Sequence, residues 1–170
     1  MPKHIIRFAG CNRFLSNYYP YTPKEGVMMG IKPLAIEFEG LVYPSTEHAF
    51  QAAKTLDKDQ RIVIRDCEGA NQSKRLGRKV MLRSDWEDVK DGIMITILRE
   101  KFKDPDLKIM LLETGDAYLV EGNWWHDCYW GVCYCDKCMG TGQNKLGDFL
   151  MAVRDDSQAE DWSEIFKEEL

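Results

Sequence analysis

The sequence predicts a predominantly α-helical α+β fold in one compact domain with a few short strands. Three observations predict it. A length of 170 residues suits a single domain, and a hydrophobic content of 44% supplies a core of ordinary size. Strand signals are short. Helical periodicity, punctuated by caps and breakers, dominates the chain from Ser45 onward. No repeat, low-complexity tract or clear linker interrupts it.

The elements follow in order. "HIIRFAG" reads as a short strand and "FLSNYYP" as an aromatic-rich loop. In "LAIEFEGLVYP", Leu34, Ile36 and Phe38 alternate with Ala35, Glu37 and Glu39, and Glu39-Gly40 supplies a hairpin turn. Ser45 is an N-cap for "TEHAFQAAK". "KDQRIVIRDCEG" predicts a second helix ended by Gly69, and Asn71 caps a third through "QSKRLGRKVML". In "SDWEDVKDGIMITILREKF", Ser84 and Glu87 have capping-box spacing, and Trp86, Val89, Ile93 and Ile97 form an apolar stripe. Asp104-Pro105 starts a further helix that Gly115 ends. "AYLVEG" is a short strand. "NKLGDFLMAVR" closes the core with Leu146, Phe149, Leu150 and Val153. The segment 155–170 reads as an acidic C-terminal tail, a surface helix or a frayed end.

Composition narrows the function. A net charge of −5 argues against a general affinity for nucleic-acid phosphates, although a local basic patch stays open. No apolar run approaches the roughly 20 residues that span a bilayer, so no membrane partner is expected. "MPKHIIRFAG" lacks a secretory signal, so a cytoplasmic protein is expected. There, the six cysteines are expected as thiols, ligands or buried groups rather than disulfides.

"STEHAFQAAK" raises the chemical question. Glu47, Gln51 and Lys54 share a helix face at i, i+4, i+7, while Ala49, Phe50 and Ala53 lie mostly on the other side. The polar face is either wet or lines a pocket. Glu47 sits in the first turn, where the macrodipole alone justifies a carboxylate and keeps it ionised. Lys54 is a solvated helix-end lysine in one reading. Desolvated beside a carboxylate, it is instead a nucleophile able to form a Schiff base.

Two other segments carry candidate chemistry. "GNWWHDCYWGVC" fits neither helix nor strand periodicity; it is a packed loop with a capping Asp, or a ligand loop with stacking rings and a carboxylate for ribose hydroxyls. "CYCDKC" brings Cys133, Cys135 and Cys138 together, with Cys128 or His126 as a fourth donor. Structural zinc, a redox dithiol and free thiols all fit. "GTGQNKLG" is a glycine-rich helix entry whose N–H groups could face a phosphate, without the ending of a P-loop.

In order and spacing, "FLSNYYP", "YPSTEHAFQAAK", "LRSDWEDVKDGIMITILREKF", "WWHDCYWGVC" and "GQNKLGDFLMAVR" resemble the NADAR family, also called YbiA-like N-glycosidases. The resemblance implies a YbiA-like domain over residues 1–154. It implies hydrolysis of a ribose C1′–N bond, on ADP-ribosylated guanine, free or within nucleic acid, or on a related small-molecule ribosyl nucleotide. The alternatives are a hydrolase of phosphoribosylamino intermediates of riboflavin biosynthesis and a non-catalytic ADP-ribose- or nucleotide-binding module. By resemblance, Glu47 is the catalytic glutamate, Lys54 captures a ring-opened C1′ aldehyde as an imine, and Asp127 assists proton transfer or holds ribose. Ser16, Asn17, Gln51, Trp86, Trp130, Gly131 and Asn144 are substrate-binding candidates, and Arg78, Arg83 and Lys101 looser phosphate candidates. The cysteine cluster departs from the shorter YbiA-like pattern. It reads as a loop staple that could hold structural zinc through Cys133, Cys135 and Cys138. No cofactor is expected to be required for catalysis.

Overall fold

The computed structural model describes residues 3–20 and 34–167, with side chains described as far as residue 159. The fold is α+β and predominantly helical, with a few short strands. The chain forms two compact units: Ser16–Asp104, and Met1–Leu15 joined to Pro105–Leu170.

In Ser16–Asp104, β2 (Ile36–Phe38) and β3 (Leu41–Tyr43) form the expected antiparallel hairpin, with Ile36 opposite Tyr43. Its turn residues Glu39 and Gly40 both have positive φ, 47° and 77°, which matches the right-handed twist of a tight hairpin. Ile36, Phe38 and Tyr43 are buried and Glu37 is exposed, so the alternation sorts the two faces. The Glu39 carboxylate pairs with buried Arg61.

Helix α1 (Thr46–Ala52) starts where Ser45 predicts: the Ser45 Oγ accepts from the His48 N–H at 3.3 Å. Every residue of this helix is buried. Helix α2 (Lys58–Arg65) is capped by Asp57, whose Oδ1 accepts from the Asp59 and Gln60 N–H groups. It stops at Arg65, short of the expected Gly69. Gly69 is extended, and its carbonyl accepts from Gln72 and Ser73, so it caps helix α3 (Ala70–Gly77) in place of Asn71. That helix ends at Gly77, earlier than expected. Gly77 lies against Gln51, and a Cβ there would overlap the Gln51 side chain. Its missing side chain lets α1 and α3 approach.

Helix α4 (Trp86–Lys101) buries Trp86, Ile93, Met94, Ile97 and Leu98. The expected capping box does not form. Asp85 is the N-cap and makes no side-chain cap bond. Competing ion pairs explain this: Arg83 holds Asp85 through two bonds of 2.7 and 2.9 Å, and Lys90 holds Glu87.

In the other unit, β1 (His4–Ile5) pairs in parallel with β4 (Tyr118–Leu119), and β5 (Gly122–Asn123) with β6 (Val132–Cys133). A 3-10 turn spans Gly10–Leu15, so the "FLSNYYP" segment begins in that turn. Helix α5 (Pro105–Leu112) is followed by Gly115 at φ 60°. Helix α6 (Lys145–Lys167) buries Leu146, Leu150 and Val153 as expected, and runs past Arg154 without a break. Buried Arg154 anchors it, donating to the Thr114 Oγ1 and the Ala117 carbonyl at 3.0 and 2.9 Å.

The Gly77–Gln51 approach makes a prediction. Gly77→Ala should cost about 1–3 kcal/mol by overpacking, read as a lower urea midpoint with an unchanged slope. A midpoint equal to wild type would show that the two helices tolerate the methyl.

Candidate active site

Helix α1 answers the question its sequence raised. Glu47 is 5% exposed and Gln51 3% exposed, so the polar face is not wet. Ala49, Phe50 and Ala53 are buried as expected. The Gln51 Nε2 donates to the Glu47 Oε1 at 2.9 Å, the i, i+4 contact that the spacing requires. The Glu47 N–H donates to the Asn17 carbonyl at 3.0 Å, which ties the "FLSNYYP" loop to the start of the helix. Ser16 closes that loop: its Oγ accepts from the Tyr18 N–H at 3.2 Å.

Two acceptors beside Glu47 remain unsatisfied. The Asn17 Oδ1 and the Gln51 Oε1 are buried without a hydrogen-bond partner among the described residues. Buried amide oxygens are normally paired, and leaving one unpaired costs about 1–3 kcal/mol. Both belong to residues that the sequence nominated for substrate binding.

Lys54 lies in the turn after α1, not on the helix itself, and is half-buried. The turn is held by an Arg83 N–H donated to the Lys54 carbonyl at 2.8 Å. The Lys54 Nζ stands 5.8 Å from the centre of the Trp86 ring, which packs tilted on Phe50 at 5.1 Å. Burial pushes the Lys54 amine below the ordinary lysine range. The Glu47 charge pulls it back up, and the charges of Lys74 and Arg78 push it further down. Those influences place an acid and two further cations around one amine. Trp86 thus serves as an apolar wall for it.

Arg78 is exposed on the C-cap of α3, and the Lys74 Nζ lies 5.7 Å from the Tyr18 ring centre. The sequence reading missed Lys74 and Tyr18. The signal was present: Lys74 and Arg78 are four apart, the spacing of one helix face. Arg83 and Lys101 are already engaged. Arg83 holds Asp85, and buried Lys101 donates to the Ser16 carbonyl at 2.9 Å.

The second unit carries the remaining candidates. Asn123 is buried and clamps the aromatic loop: its Nδ2 donates to the Asp127 carbonyl at 2.7 Å, and its Oδ1 accepts from the Trp125 and Asp127 N–H groups. The Asp127 Oδ1 accepts from the Tyr129 and Trp130 N–H groups at 3.2 and 2.9 Å. Trp130 packs edge-on against Tyr129 and Phe149. Gly131 lies against the Glu121 carbonyl, where a Cβ would collide. The amide of Asn144 is taken up by backbone, its Nδ2 donating to the Leu119 carbonyl and its Oδ1 accepting from the Glu121 N–H.

The glycine-rich entry to α6 does not present its N–H groups to an anion. Gln143, Asn144, Lys145 and Leu146 donate instead to the carbonyls of Cys128, Gly131, Tyr129 and Trp130. The cysteine segment does gather. One donor atom each of His126, Cys133, Cys135 and Cys138 lies within 4.8 Å of the others, a group compatible with structural zinc. Among the described residues no helix is long and apolar enough to cross a membrane.

With this geometry established, comparison with known proteins gives the family. The NADAR domain profile matches residues 9–157. The chain belongs to the NADAR family. It is 37% identical over 142 residues to N-glycosidase YbiA of Escherichia coli strain K12, covering 82% of this chain and 86% of that protein. It is 34% identical to N-glycosidase Npun_R5314 of Nostoc punctiforme, covering 84% and 90%. A riboflavin biosynthesis protein of Vibrio vulnificus is 35% identical over 91% of this chain, which spans 44% of that longer protein. The solution NMR structure of Escherichia coli YbiA superposes with a TM-score of 0.72 at 32% identity, covering 95% of this chain and 89% of that one. This NADAR protein is accordingly an enzyme of the N-glycosidase class.

The environment of Lys54 predicts a titration. Its amine should lose its proton below the ordinary lysine value of about 10.4. Glu47→Gln should move it lower still, because the carboxylate favours the ammonium. NMR titration of isotopically methylated lysines reads both shifts. Co-titration of Lys54 with the surface lysines would refute the desolvated environment.

Proposed function

We propose that this NADAR protein hydrolyses the C1′–N bond of a ribosyl nucleotide-type substrate, with Glu47 and Lys54 as its catalytic residues. The observation that carries the reading is a buried carboxylate beside an amine that burial drives towards neutrality. A neutral lysine is a nucleophile, and a nearby acid moves the protons that such chemistry requires.

The balanced sequence is short. Opening of the ribose ring leaves C1′ doubly bonded to the departing nitrogen. The Lys54 Nζ adds to C1′, and the C1′–N bond breaks as that nitrogen takes up a proton. Glu47 carries the proton from the attacking amine to the leaving group. Water then adds to the Lys54 imine, releasing the amine and the sugar aldehyde, which recloses. The net reaction consumes one water and gives the free base and a ribose. In direct displacement, the same carboxylate instead stabilises positive charge developing at C1′.

Substrate recognition follows from the surroundings. The unpaired oxygens of Asn17 and Gln51 suit ribose hydroxyl donors. Lys74 and Arg78 suit a phosphate or pyrophosphate. Trp86 walls the amine, and Ser16 shapes the loop that carries Asn17. Asp127 is proposed to assist proton transfer or hold ribose, with Trp130, Gly131 and Asn144 forming and fixing its loop. ADP-ribosylated guanine is the substrate class favoured here, free or within nucleic acid. The riboflavin biosynthesis name of the Vibrio vulnificus relative favours a second reading, a phosphoribosylamino intermediate. Catalysis proceeds on the protein's own side chains in both, and a zinc ion on Cys133, Cys135 and Cys138 would be structural. A cytoplasmic location accords with either substrate.

Incubation with ADP-ribosylated guanosine, ADP-ribosylated oligonucleotide and a phosphoribosylaminopyrimidine, with mass detection of released base, tests the proposal. Glu47→Gln and Lys54→Ala should each lower kcat by about 10²–10⁴-fold with unchanged circular dichroism. Borohydride should trap a sugar on Lys54. Asp127→Asn keeps an oxygen for the Tyr129 and Trp130 N–H groups, so lost turnover there would report the carboxylate's charge. Tight ADP-ribose binding without base release from any substrate would make the protein a reader, not a hydrolase.

A further inference from the structure

The segment between Gly122 and Asn144 has an unusual problem of stability. Trp124, Trp125, Tyr134 and Met139 are all exposed, Trp125 at 63% and Met139 at 82%. Apart from buried Cys133 and the half-buried rings of Tyr129 and Trp130, this stretch has little apolar burial to hold it. Yet it adopts a definite and costly backbone, with His126 and Met139 at φ 67° and 50°. Non-glycine residues occupy that region sparingly, and something must over-determine it.

We infer that one zinc ion fastens this segment through His126 Nδ1 and the Sγ atoms of Cys133, Cys135 and Cys138, with Cys128 outside the coordination shell. A tetrahedron with Zn–S of about 2.3 Å and Zn–N of about 2.0–2.1 Å has donor-to-donor edges of roughly 3.5–3.8 Å. His126 Nδ1 stands 3.3 Å from the Cys135 Sγ and 3.4 Å from the Cys138 Sγ. All four donors lie within 4.8 Å of one another, so the cluster needs only a small contraction to close on an ion. Three thiolates and an imidazole are a borderline-soft donor set, the kind that closed structural zinc sites use.

The backbone is built to match. Cys138 and Met139 both return their N–H groups to the Cys135 carbonyl, at 3.1 and 2.8 Å, forming a tight turn between two of the donors. The His126 N–H donates to the Cys133 Sγ at 3.3 Å, a bond that favours the thiolate. The left-handed φ of His126 occurs at a donor residue. Cys133 also bridges to Thr141, donating to its carbonyl at 2.9 Å, so the turn is anchored on both sides.

Cys128 is the plausible rival to His126, because its Sγ lies 3.6 Å from the Cys138 Sγ. It is nevertheless absent from the group in which all donors converge. Its contact is with Cys138, and zinc needs no fifth donor. The ion is therefore a staple for residues 126–138. Asp127 is held between His126, a ligand, and Cys128, a bystander. The metal assignment is independent of the glycosidase reading; any effect of zinc removal on turnover rests on it.

Elemental analysis of the full chain, purified without chelator, should find one zinc per chain. Exchange with cobalt should give thiolate-to-cobalt charge transfer and the visible bands of a tetrahedral site. Cys135→Ser should lower zinc below roughly a tenth of an equivalent. His126→Ala should weaken retention against a competing chelator by about tenfold or more, and His126→Cys should restore it. Cys128→Ser should hold zinc as wild type does. If Cys135→Ser does not fold, zinc released from the wild type by a thiol-blocking reagent supplies the same count. Three results would overturn the inference: a metal-free chain without a cobalt spectrum, a Cys128–Cys138 disulfide, or metal lost in Cys128→Ser but kept in His126→Ala. Zinc bound by a chain that releases no base would keep the staple and reject the glycosidase.

Discussion

The candidate chemistry depends on burying a carboxylate on a seven-residue helix that has no wet side. Placing Glu47 out of water costs several kcal/mol unless partners compensate. Helix α1 supplies them locally. The first-turn position puts Glu47 at the positive end of the macrodipole. Gln51, one turn on, donates to its Oε1. The Asn17 carbonyl accepts its N–H. Gly77 then clears the space into which Gln51 packs. Each partner would be unremarkable at a surface helix; together they fix one oxygen of the acid while keeping the group buried.

Lys54 depends on the same arrangement, with opposite sign. Burial disfavours an ammonium, and the approach of Lys74 and Arg78 disfavours it further. Glu47 is the opposing influence. The pair is therefore coupled more strongly than two exposed residues would be, because in bulk water the charges would be screened. Trp86 contributes by excluding water from one side of the amine. The cations that depress Lys54 are also those suited to an anionic substrate. A bound phosphate would neutralise part of their influence and return the amine towards its ordinary protonation. Anion binding at those cations and the proton affinity of the Lys54 amine are thus electrostatically coupled. In the proposed reaction, Glu47 would have a second task, receiving the proton as the amine attacks.

How much of this was legible in the sequence varies with the range of the interaction. Ser45, Glu47 and Gln51 act within one helix, where periodicity states who faces whom, and they were read correctly as cap and shared face. The hairpin turn at Glu39-Gly40 is equally local. Lys54 shares the neighbourhood but leaves the helix, because the chain turns after Ala52. The capping box at Ser84 and Glu87 failed for a reason that the spacing hides: Arg83 and Lys90 draw the two nearby acids into ion pairs. Gly69 and Gly77 were read as helix stops or passed over. In fact one begins a helix and the other admits a neighbouring side chain, which depends on tertiary approach. Tyr18 was passed over for the same reason, whereas the i, i+4 spacing of Lys74 and Arg78 was visible and went unread. The glycine-rich entry to α6 looked like an anion site until its N–H groups met the carbonyls of residues 128–131.

The two candidate segments solve the problem of fixed geometry by different physics. Around Glu47, the solution is burial: Glu47 and Gln51 are themselves buried, and low dielectric strengthens the hydrogen bond between them. In residues 122–144 Trp124, Trp125 and Tyr134 are exposed, so order there rests largely on hydrogen bonds made by Asn123, on those accepted by the Asp127 carboxylate, and on the gathered donors near Cys133. Hydrogen-bonded loops without an apolar core open easily, since each bond contributes only about 1 kcal/mol net. A metal adds stability there without demanding apolar volume. A C-x-C-x-x-C segment is thus a coherent answer to an exposed aromatic loop. It leaves the rings accessible while restraining the backbone that carries them, which a hydrophobic staple of equal strength would have required burying.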